Sequence, residues 1–74
     1  MSRQSMIQVV VNGKSCEIPE QTTISGLIEL LEIQGEGIAI EINRELLKRK
    51  FWSLRTLLPG DTLEIVHFVG GGAT

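Results

Sequence analysis

Apolar and polar positions alternate along "MIQVVVN", which places Ile7, Val9 and Val11 on one side of a strand and Met6, Gln8 and Val10 on the other. The β-branched content of this stretch favours the same reading. Asn12-Gly13 then predicts a tight turn, because both residues tolerate positive φ, and "SCEI" returns antiparallel with Cys16 and Ile18 sharing a face. After Pro19 the period changes. Ile24, Leu27, Ile28 and Leu31 recur at the i, i+3, i+4, i+7 spacing of an amphipathic helix of about three turns. Thr22 or Thr23 is expected to cap its start, and Gly35 to close its end in the left-handed conformation. "IAIEIN" alternates again, with Ile38, Ile40 and Ile42 inward and Glu41 outward. The polar stretch "RELLKRKFWSLRT" predicts a short edge strand at Leu46 to Lys48, followed by a turn of helix or an irregular crossing. "LLPGD" is a turn with proline and glycine in their usual places, and "TLEIVHFV" leaves it as the last long strand. Leu63, Ile65 and His67 share its inner side.

Hairpin, helix, strand, short strand and final strand follow one another with no repeat or linker between them. This order predicts an α+β chain with the ubiquitin-like β-grasp arrangement: one main helix laid across a mixed sheet of about five strands, the first and last strands parallel at its centre. The helical crossover dictates the parallel pairing. The expected division is a folded domain over residues 1–69 and a flexible glycine-rich tail over 70–74.

With 74 residues there is room for one domain, and 42% hydrophobic against 22% charged residues is a globular balance. No stretch reads as a membrane span, and "MSRQS" lacks the apolar segment of a secretory signal, so a cytoplasmic location is expected. The single cysteine has no internal disulfide partner, and with one histidine it gives no metal-ligand spacing. Nine acidic and seven basic residues leave a net charge of −2, which speaks against a general nucleic-acid binder. Five of the seven basic residues, Arg44, Lys48, Arg49, Lys50 and Arg55, lie in one stretch beside Phe51 and Trp52. That stretch reads as a solvated basic face or a docking site for an acidic partner.

Cys16 alternates onto the core face and reads as a buried structural thiol. His67, at the far end of the last strand, reads as a packing or tail-positioning residue. "GEGIAI" follows a helix and precedes a strand, the reverse of a phosphate-binding loop, and carries no nucleotide reading. Val66 and Phe68 face away from Leu63 and Ile65, on the side of the sheet that the helix leaves uncovered. Either they form a docking patch just before the chain end, with Trp52 nearby, or Trp52 covers them.

The chain ends "HFVGGGAT". Three glycines in succession work against an ordered element, since glycine brings no side chain to pack and loses the most backbone freedom on ordering. This ending, together with "GDTLEIVHFVGG", the "IEIN" strand with Asn43 before its turn, and Arg49 and Trp52 beyond it, resembles the ThiS family of sulfur carriers in bacterial thiamine biosynthesis, a branch of the ubiquitin-like superfamily. The resemblance runs from the first strand through Gly72.

That resemblance implies a carrier whose C-terminal glycine carboxylate, at Gly72, is adenylated and converted to a thiocarboxylate that donates sulfur to the thiazole. Gly70 and Gly71 would thread the end into narrow enzyme channels. Val66, Phe68, Trp52 and Arg49 would bind partners, with the basic stretch from Arg44 to Lys50 as a rim. The implied partners are an ATP-dependent activating enzyme of ThiF type, a thiazole synthase of ThiG type and a persulfide donor such as a cysteine desulfurase. No cofactor of its own, no catalysis of its own, no nucleic acid, no membrane and a monomeric state are expected. The chain departs from the pattern in two ways: Ala73 and Thr74 follow Gly72, which implies trimming, an extension or an artefact, and Lys48 stands where many relatives have proline. Relatives in molybdopterin, cysteine or siderophore-type sulfur transfer share fold and diglycine, so those pathways stay open. So does a ubiquitin-like interaction module that is never activated.

Overall fold

The strand β1 (Met6–Val11) and the strand β2 (Lys14–Pro19) form the hairpin, in register from Met6 opposite Pro19 to Val11 opposite Lys14. Asn12 and Gly13 turn it with φ of 51° and 82°, the two positive values that match the twist of the flanking strands. The computed structural model describes residues 5–68, and the expectations for Gly70, Gly71 and Gly72 lie outside that range.

Helix α1 (Ile24–Leu30) starts at Thr23, whose Oγ1 accepts from the Gly26 N–H at 3.1 Å. Thr22 is occupied elsewhere, donating its hydroxyl to the Pro19 carbonyl at 2.6 Å. The helix has seven residues, about two turns instead of the three expected from the apolar spacing. It stops early because Glu32, not Gly35, takes the left-handed conformation, at φ 57°. The Glu32 N–H then bonds the Glu29 carbonyl at 3.0 Å and the Ile33 N–H bonds the Ile28 carbonyl at 3.1 Å, the paired bonds of a Schellman ending. Gly35 does not take a positive φ, and its carbonyl accepts from the Arg49 guanidinium.

The strands β3 (Ile38–Ile42), β4 (Glu45–Leu47) and β5 (Thr62–His67) complete a five-stranded sheet of order β2-β1-β5-β3-β4. The edge strand β4 lies one residue earlier than its polar context suggested. Val10 and Val11 of β1 pair in parallel with Thr62 and Leu63 of β5, as the crossover requires, and β3 runs antiparallel to β5. The ubiquitin-like β-grasp is therefore the observed fold. Ile7, Val9, Ile18, Ile40 and Leu63 of the sheet meet Ile24, Leu27 and Ile28 of the helix in one core. Burial of these side chains is the main stabilising term of so small a domain.

Candidate functional site

The candidate site is the far end of β5, which precedes the glycines in sequence. Three polar side chains pin that strand. At its start, Asn43 accepts from the Thr62 N–H at 3.0 Å through Oδ1 and donates through Nδ2 to Asp61 Oδ1 at 3.0 Å. Asp61 is buried, takes the Leu58 N–H at 2.8 Å on its other oxygen, and pairs there with Arg55 at 3.4 Å. These bonds satisfy a carboxylate that would otherwise be costly to bury.

At the far end, the parallel ladder with β1 runs out after Leu63, and the Asn12 side chain carries it on. Its Oδ1 accepts from the Ile65 N–H at 2.7 Å and its Nδ2 donates to the Ile65 carbonyl at 3.3 Å. On the opposite edge β3 pairs Ile38 with His67, and the Phe68 N–H reaches the Gly37 carbonyl at 2.8 Å. The strand is thus held on the β1 side as far as Ile65 and on the β3 side as far as Phe68. Sequence reading caught Asn12 and Asn43 as turn residues and missed their grip on β5. The residual signal was chemical: an asparagine, unlike glycine, offers both a donor and an acceptor.

Val66 and Phe68 project from the outer face, 49% and 61% exposed. Trp52 does not cover them, and its expected place at the docking surface is corrected: it is 5% exposed and belongs to the core. The 3₁₀ turn Arg49–Phe51 rolls the chain so that the indole points inward, and Nε1 donates to the Leu47 carbonyl at 3.1 Å. Arg49 stacks over the indole at 4.6 Å and donates to the Gly35 carbonyl. Its guanidinium thus secures the loop after α1, while the side chain stays exposed. Of the four expected partner-binding residues, only Val66 and Phe68 share one surface.

On the helix side, His67 is exposed and lines a groove of about 480 Å³ with Val11, Cys16, Leu31 and Ile65. Cys16 is half-buried there, so its expected full burial does not hold. Among the described residues, no group of three or more His, Cys, Asp or Glu is placed to hold a metal ion, and no helix is long and apolar enough to cross a membrane.

A five-stranded β-grasp body with one helix across it and an exposed apolar pair at the end of its last strand defines the ubiquitin-like class of proteins. The ThiS family model matches residues 9–72, and the chain belongs to the ThiS family. It is 33% identical to the sulfur carrier protein ThiS of Bacillus subtilis over 63 residues, covering 84% of this chain and 96% of that one. The crystal structure of a ThiS thiamine biosynthesis protein from Geobacter metallireducens superposes with a TM-score of 0.80 at 32% identity, covering 89% of this chain and all of the other. A thiazole synthase of Paramagnetospirillum magneticum is 30% identical over 67 residues, 90% of this chain, which spans only 21% of the synthase's length.

Proposed function

We propose that this protein is the sulfur carrier of thiazole formation in thiamine biosynthesis, acting through Gly72. The observation that carries the reading is the family match through residue 72, which takes in the glycine run. Hydrolysis of the Gly72–Ala73 peptide bond frees the Gly72 carboxylate, one oxygen of which attacks the α-phosphorus of ATP on an activating enzyme of ThiF type, and pyrophosphate leaves. The acyl adenylate is then open to a persulfide from a cysteine desulfurase, whose terminal sulfur bonds the carbonyl carbon as AMP departs. Thiol reduction of the remaining S–S bond frees the thiocarboxylate. A thiazole synthase of ThiG type takes that sulfur.

In this reading the folded body supplies recognition and the tail supplies the reacting carbon. Gly70 and Gly71 suit a channel in which any Cβ would collide. The protein is a cosubstrate, and the nucleotide and catalytic bases belong to its partners in the cytoplasm.

The test compares a chain ending at Gly72 with one that continues through Ala73 and Thr74. The shorter chain is expected to support ATP–pyrophosphate exchange with the activating enzyme and to gain the mass of one oxygen replaced by sulfur. The longer chain is expected to do neither until trimmed. Changing Gly72 to Val in the shorter chain should abolish both reactions and leave the amide spectrum of the body intact. A shorter chain inert with thiamine-type and molybdopterin-type activating enzymes alike would replace the carrier reading with that of an interaction module.

A further inference from the structure

The outer face of the sheet holds a feature that stability does not explain. In the β3–β5 register, Glu41 lies directly opposite Glu64. Both side chains are exposed on the face away from α1, and like charges directly opposite each other destabilise a pair of strands. Among the described residues, no lysine or arginine lies within 4.0 Å of either carboxylate; Arg55 with Asp61 is the one such ion pair. Arg44, held at φ 72° in the turn after β3, lines the same depression of about 430 Å³ with Glu41, Thr62 and Glu64 but makes no ion pair there.

The neighbours of this pair are apolar. One rung toward the glycines, Ala39 lies opposite Val66, and Phe68 follows on the same face; Leu46 flanks Glu41 from β4. Val66, Phe68 and Leu46 are each at least 49% exposed. An apolar patch bordered by two carboxylates that make no ion pair is complementary to one kind of surface: an apolar seat with a cation beside it.

We infer that Glu41 and Glu64 together receive an arginine or lysine side chain of the thiazole synthase, while Val66 and Phe68 seat against apolar residues of that enzyme. The identity of the partner rests on the carrier reading above. It is supported by the synthase in which a segment similar to this chain occupies 21% of one polypeptide, so that both surfaces are carried together. The repulsion present in the free protein is relieved when the cation arrives. A guanidinium fits this role well, since it can bridge two carboxylates with paired donors.

The experiment uses the full chain and purified thiazole synthase, with the variants Glu41→Gln, Glu64→Gln, their double and Glu64→Lys. Denaturant unfolding is expected to show each glutamine variant at least as stable as the parent, because the exposed repulsion is removed. Calorimetric binding to the synthase is expected to weaken about tenfold in the double variant. Glu64→Lys should weaken it further, since a like charge then meets the synthase's cation. Parent affinity should fall as salt rises, and the double variant should lose most of that dependence.

Equal affinity of parent and double variant, or a parent affinity indifferent to salt, overturns the inference. So does failure of the parent to bind the synthase at all. In that case, ATP–pyrophosphate exchange by the chain ending at Gly72 shows whether the carrier reading itself stands.

Discussion

Asn12 does two things at one position, and only one of them is local. Its φ of 51° makes the hairpin turn, and its amide takes both backbone groups of Ile65, whose position is 53 residues away. The first role was legible in the dipeptide Asn-Gly. The second was not, because nothing in the sequence states which strand will lie beside the turn. The two roles separate in Asn12→Gly, which keeps the backbone conformation at no steric cost and deletes the side chain. Loss of both bonds to Ile65 is expected to cost about 1–2 kcal/mol. Denaturant unfolding measures that loss, and hydrogen exchange should show the Ile65 amide opening faster in the variant while Val9 keeps its protection. Equal exchange at Ile65 in both proteins would mean that β3 alone holds the strand end.

At the scale of the element, the apolar spacing gave the helix and its buried face correctly, and Ile24, Leu27 and Ile28 are core residues. Its end was misplaced because the expectation followed the nearest glycine, whereas the backbone closes at Glu32. A non-glycine residue in the left-handed region costs roughly 1–2 kcal/mol, and glycine recovers part of that while adding freedom to the unfolded chain. Glu32→Gly is therefore expected to stabilise the protein by about 0.5–1 kcal/mol. Thermal or denaturant unfolding checks the sign. The Trp52 expectation failed for a related reason. Basic and aromatic residues interleaved in sequence look alike whether the ring points out or in, and a three-residue 3₁₀ turn decides the matter.

Taken as a whole, the molecule separates what holds it together from what it presents. Its core is one layer of side chains between sheet and helix, and Ile40 at its centre is fully buried. Ile40→Asp would bury an unpaired carboxylate in a domain whose entire stability is on the order of 5 kcal/mol, so loss of the dispersed amide spectrum is expected. Phe68 stands at the opposite extreme. It is 61% exposed, and its backbone rather than its ring is what the sheet holds, through the bond to Gly37. Phe68→Ala is thus expected to leave unfolding within about 0.5 kcal/mol of the parent. On the proposed function, its effect is expected in association. In a chain ending at Gly72, the variant should raise the KM for the carrier in ATP–pyrophosphate exchange about tenfold, with kcat retained, because the ring contributes equally to the bound ground state and the transition state. Gly72→Val should abolish turnover itself, since on the proposed function the added side chain would be bonded next to the reacting carbon. A fall in kcat for Phe68→Ala with KM unchanged would instead make the ring part of how the tail is aligned for reaction, and the division between a recognising body and a reacting tail would have to be redrawn at Phe68.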